Sequence, residues 1–138
     1  MTEVEFITEL QRKIVEVEGK STDELLMSIA VNNNNLWYKN KPDEKEQIRV
    51  GKSIFVNIRS RIAILLCENR SKKGSNFDIL LTAGLVSFVQ EIGKLVYGTE
   101  MGETVGLSIV AAAMALVYNE VKKHGIDIFC MLYYDNID

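Results

Sequence analysis

Thr104–Tyr118 reads TVGLSIVAAAMALVY, a run with no charged side chain, and Phe77–Val89 before it reads FDILLTAGLVSFV, with Asp78 as its one acid. Helices this apolar, and this rich in Ala, Gly and Ser, leave few positions for water. They belong at the centre of a helical domain or against another molecule. Thr104, Ser108, Ala111, Ala115 and Asn119 fall at i, i+4, i+7, i+11 and i+15, a stripe of small residues on one side of a helix. Such a stripe lets a second backbone approach closely. Ala83, Gly84 and Ser87 on the preceding segment are its natural complement, and the short connection Gly98–Gly102 favours an antiparallel pair. The expectation is a central apolar helical hairpin, with helices over about Phe77–Tyr97 and Glu103–Lys123.

Outward from the hairpin the rest of the chain also reads as helix. Val4, Phe6, Ile7, Leu10, Ile14 and Val17 recur at helical spacing up to Gly19. Ser21 and Glu24 form an S-x-x-E capping box ahead of Leu25, Leu26 and Ile29. The asparagine run Asn32–Asn35 should end that helix. Pro42-Asp43-Glu44 starts a third, with fixed φ in the first turn and acids at the positive end of the helix dipole. Its apolar period, from Ile48 through Ile58 to Leu66, holds to about Glu68. A competing reading makes Ile62–Cys67 a buried strand, but the period favours helix. The tail, Ile126–Tyr134, is apolar and aromatic and fits a last helix or a short strand. The fold class expected is all-α: one domain over residues 1–138, a bundle of five or six helices around the hairpin, with a possible short C-terminal strand.

The chain has 138 residues, 47% of them hydrophobic and 25% charged, enough for a core without staples. Its net charge of -3 gives no general attraction to nucleic acid or anionic membrane. Cys67 and Cys130 sit in apolar runs and read as two buried thiols in preference to a disulfide. The acidic, amphipathic N-terminus lacks signal-peptide character, so the expected location is cytoplasmic.

Motifs for chemistry are weak. Gly51-Lys52-Ser53 lacks the upstream glycine of a phosphate loop, since Glu46 stands there, and it lies inside a helical pattern. His124 is the only histidine, and it closes a helix after Lys122 and Lys123, where a cation suits the exposed carbonyls. No pair of acids sits in an apolar frame that would push their pKa values apart. No catalytic residue, cofactor site or metal site is assigned, and no enzyme is expected.

The leading functional expectation is a non-enzymatic protein–protein interaction or assembly module, an adaptor or regulatory subunit that associates with itself. Trp37, Tyr38, Thr104, Ser108, Ala111 and Ala115 are its candidate contact residues. An alternative is a nucleic-acid-contacting accessory subunit. It would use the basic segment 59–73, where Arg59, Arg61, Arg70, Lys72 and Lys73 face one acid, Glu68. A third is a hairpin that inserts conditionally into membranes. Neither uncharged run reaches the ~20 residues of a spanning helix, and flanking Glu91, Lys94, Glu100 and Glu103 oppose constitutive insertion.

Overall fold

In the computed structural model, residues 1–33, 37, 40–73 and 82–135 are described, without the side chains of 70–73, 103 and 104. Every regular element among them is helical: α1 Glu3–Val17, α2 Thr22–Asn33, α3 Glu44–Lys73, α4 Leu85–Tyr97, α5 Glu100–Thr104, α6 Leu107–His124 and α7 Ile126–Cys130. A π-helical turn, Met131–Asp135, follows α7. Of the two readings of the tail, helix or short strand, the helical one is seen, and no strand occurs among the described residues. The apolar tail coils into two single turns, which satisfy their own backbone groups and need no neighbouring strand.

Side-chain hydrogen bonds set the first three helix starts. Thr2 and Glu5 form a reciprocal capping box on α1 that the sequence reading passed over. Ser21 and Glu24 form the expected one on α2. Before α3 the Asp43 carboxylate accepts from the Glu46 amide, and buried Gln47 donates its side-chain amide to the Pro42 carbonyl. Each bond satisfies a group that the helix itself leaves open. On α1 the buried face is Phe6, Leu10, Ile14 and Val17, while Val4 turns outward.

The central element is α6 alone. From Ile109 to Tyr118 every side chain on it is buried. It packs chiefly against α1 and α2, whereas α4 lies chiefly on α1 and touches α6 less. Phe6 on α1 stacks against Tyr97 of α4 at 5.5 Å between ring centroids, and Phe88 of α4 meets Tyr118 of α6 at 5.3 Å. Among the described residues the larger partners of α6 are therefore α1 and α2, with α4 a smaller one. Two breaks account for this. Gly84 adopts φ +106°, so α4 begins at Leu85 and not near Phe77. Downstream, Val105 and Gly106 separate the five-residue α5 from α6. The part of the expected helix over 77–81 lies outside the described residues.

Gly51 has a structural duty that phosphate-loop spacing would not suggest. It sits where α3 crosses α2, and a Cβ there would come within 1.9 Å of the Leu26 carbonyl oxygen. The glycine lets the two backbones touch. Phe55 and Ile58 of α3 and Leu25 and Ile29 of α2 belong to the same core.

Cys67 on α3 and Cys130 at the end of α7 form a disulfide, with Cα atoms 5.8 Å apart. This corrects the reading of two free thiols. Apolar surroundings suit a half-cystine as well as a thiol, and the pairing depends on α7 folding back over α3 across 63 residues of sequence.

Candidate functional site: a groove beside helix α3

Helix α3 places Ile54, Ile58, Arg61 and Leu65 at i, i+4, i+7 and i+11, along one side. Opposite them run α5 and the start of α6. Two adjoining depressions form there and share Arg61. One, of about 400 Å³, is bordered by Asn57, Val105 and Ile109; the other, of about 260 Å³, by Ile64 and Met101. The smaller depression is mostly apolar, with Thr99 and Glu100 lining it beside Arg61. The larger is nearly half polar, with Asn33, Ser53 and Asn57 set among Ile54, Ile58, Val105 and Ile109. Arg61 is exposed and has no ion pair or hydrogen bond among the described residues. Ile64, at the edge of the smaller depression, and Val56, further round the same helix, also face outward, 42% and 41% exposed.

Arg59, two residues earlier, is spent inside the molecule. Its guanidinium lies 3.9 Å from the centroid of the Tyr133 ring and 5.4 Å from that of Phe55. It pairs with Glu120 of α6 at 3.4 Å, the two side chains being 19% and 26% exposed. Arg59 Nε and Glu120 Oε2 are buried without a hydrogen-bond partner among the described residues. The Tyr133 hydroxyl is pushed above its ordinary range, first by burial and next by the negative charge of Glu120, with Arg59 opposing. Arg59 is therefore a packing residue and not a surface contact for phosphate.

The other expected site residues are scattered. The side chains of Arg70, Lys72, Lys73 and Thr104, and all of Tyr38, lie outside the described residues. Trp37 is half-buried. Ser108 is half-buried and borders a separate polar recess with Lys13, Glu16 and Asn32. Ala111 and Ala115 are buried in the chain's own core, so these members of the small-residue stripe are covered from within. His124 is exposed in the last turn of α6. Among the described residues no three His, Cys, Asp or Glu side chains converge closely enough to hold a metal ion. None of the described helices is long and apolar enough to cross a membrane.

The groove was not visible in the sequence. Its floor follows from the apolar period of α3, but the far wall of the larger depression comes from residues about 50 positions later, brought there by the turn at Val105 and Gly106. Comparisons with protein-family models, curated proteins and solved structures found no match to this chain.

Proposed function

We propose that this chain is a non-enzymatic protein–protein interaction or assembly module that associates with copies of itself. The observation that carries the reading is the groove: two open depressions with aliphatic and polar walls, and between them Arg61, which has no ion pair or hydrogen bond among the described residues. A helix or extended segment bearing apolar side chains and one carboxylate would fill both. A second copy is a suitable source, because the chain has 19 acids against 16 lysines and arginines. The groove alone is small beside the ~800 Å² per partner of a stable interface, so Val56 and Ile64 on the outward side of α3 belong to the proposed contact.

Of the alternative basic set, Arg59 is held by Glu120 and Tyr133 and Arg61 is exposed, while the side chains of Arg70, Lys72 and Lys73 lie outside the described residues. A cytoplasmic setting belongs to the proposal. Disulfides there are usually transient or redox-sensing, and the Cys67–Cys130 bond is read in that light.

Sedimentation and light scattering across a dilution series test the proposal. A concentration-dependent mass is expected. Arg61→Glu and Ile64→Glu should each raise the midpoint concentration roughly tenfold, about 1.4 kcal/mol per contact. A monomeric mass at the highest attainable concentration would overturn it, as would indifference to both substitutions.

A further inference from the structure

We propose that residues 126–135 form a redox-released strap: the Cys67–Cys130 bond clamps it to α3, and thiol–disulfide exchange frees it while the helical core stays folded. The strap does not depend on the interaction surface proposed above.

Four features point to it. The segment begins at a natural pivot, Gly125, whose φ of +86° ends α6. Beyond the pivot lie a five-residue helix and a five-residue π turn, both too short to hold together unsupported. Their attachment is narrow. Only Phe129 and Cys130 are fully buried; Ile126, Tyr133 and Tyr134 pack half-buried against the core, and Ile128, Met131 and Leu132 remain exposed. The main partners of α6, by contrast, are α1 and α2, which do not require the strap.

The fourth feature is electrostatic. Under the strap lies the Arg59–Glu120 pair, with Nε of one and Oε2 of the other buried and without a hydrogen-bond partner among the described residues. Burying charges costs more than their mutual attraction returns unless every remaining polar atom is bonded. Lifting Tyr133 lets water reach both, which partly offsets the packing that the strap gives up on opening. The closed position therefore leans on the covalent bond.

The chemistry is ordinary exchange with a dithiol. One thiolate of the dithiol attacks a cystine sulfur, breaking the Cys67–Cys130 bond and leaving a mixed disulfide. The second thiol of the same reagent displaces it, and the dithiol leaves as its cyclic disulfide. Two electrons and two protons pass to Cys67 and Cys130, which end as thiols. Both half-cystines are buried while the bond is intact, so attack requires a local displacement of the side chains over the bond, Tyr133 among them, and release of the strap follows the exchange.

Hydrogen exchange followed by mass spectrometry on the full chain, before and after dithiothreitol, tests this, with Cys67→Ser/Cys130→Ser as a reagent-free counterpart. Amides over 126–135 should exchange about 100-fold faster after reduction, with α1, α2 and α6 changing by less than about threefold. Alkylation before reduction should label neither cysteine. Tyr133→Ala, which keeps the bond, should be reduced severalfold faster than the parent. Unchanged protection of the strap would overturn the proposal, and so would loss of protection throughout the core, which would mark the bond as a staple of the whole fold. Free thiols in the oxidant-treated chain, or a Tyr133→Ala reduction rate equal to the parent's, would also count against it.

Discussion

Replacing Gly51 by Ala sets two effects of opposite sign against each other. In an exposed helix interior the change stabilises by about 1 kcal/mol, because glycine loses more backbone freedom on folding. Here the added Cβ would stand 1.9 Å from the Leu26 carbonyl oxygen and 2.6 Å from its carbonyl carbon, while ordinary contact begins at 3.4 Å. These are backbone atoms inside α2 and cannot swing aside like the end of a side chain. Relief requires α2 and α3 to separate by about 1.5 Å at the crossing. A gap of ~0.5–1 Å already forfeits a quarter to a half of each dispersion contact. The residues that would feel it are Leu25, Leu26 and Ile29 against Phe55 and Ile58, all buried. Overpacking of this kind costs ~3 kcal/mol at the upper end of the usual range, so about 2 kcal/mol of net destabilisation is expected. For a chain of 138 residues that is a fall in Tm of about 7 °C. Urea unfolding followed by circular dichroism measures the free energy, and a thermal melt checks the shift. An Ala variant as stable as the parent, or more so, would refute the reasoning, since propensity alone predicts that result.

Two further outcomes follow from the buried pair and from the second capping box. Glu120→Leu leaves the Arg59 guanidinium under Tyr133 without its carboxylate, and partial exposure of the pair reduces the expected loss to about 2 kcal/mol in a urea titration. The double variant Arg59→Met/Glu120→Leu should recover to within about 1 kcal/mol of the parent, and a double variant worse than the single one would contradict the account. Glu24 is held below its ordinary value of 4.5 chiefly by the Ser21 backbone amide, then by the Ser21 hydroxyl. Its contribution to folding is thus present above 4.5 and fades as pH falls through the lowered folded value. Ser21→Ala should move the Glu24 carboxyl upward in an NMR titration, and an unmoved carboxyl would show that the hydroxyl bond has no weight.

The sequence was most legible where structure is decided within a few residues. Ser21–Glu24 and Pro42-Asp43 mark helix starts because the capping groups and the helix they cap are neighbours in the chain. The period of α3 was readable for the same reason, since Phe55, Ile58, Ile62 and Leu66 recur along one stretch. Reading failed where the partner is distant. Nothing near Thr104–Tyr118 says that α1 and α2 will cover it more than the preceding segment does. Gly84 was counted as part of a small-residue contact, whereas its positive φ ends the helix there. Arg59 looked like one member of a basic run, because Glu120 and Tyr133 lie more than 60 positions away. Cys67 and Cys130 gave the same difficulty, since apolar flanks describe a thiol and a half-cystine equally.

The alanines of α6 carry a consequence for how such a chain can diverge. With Ala111, Ala112 and Ala113 all fully buried, the neighbouring helices rest almost on the α6 backbone, and no direction is left in which a longer side chain could grow. Substitution there must go small for small, while the outward positions of α3 and the strap can change character freely. Over generations the innermost helix would hold its shape using some of the commonest residues in proteins, and the outward surface would be rewritten. Two descendants could keep this architecture with almost nothing left in common to read along their sequences.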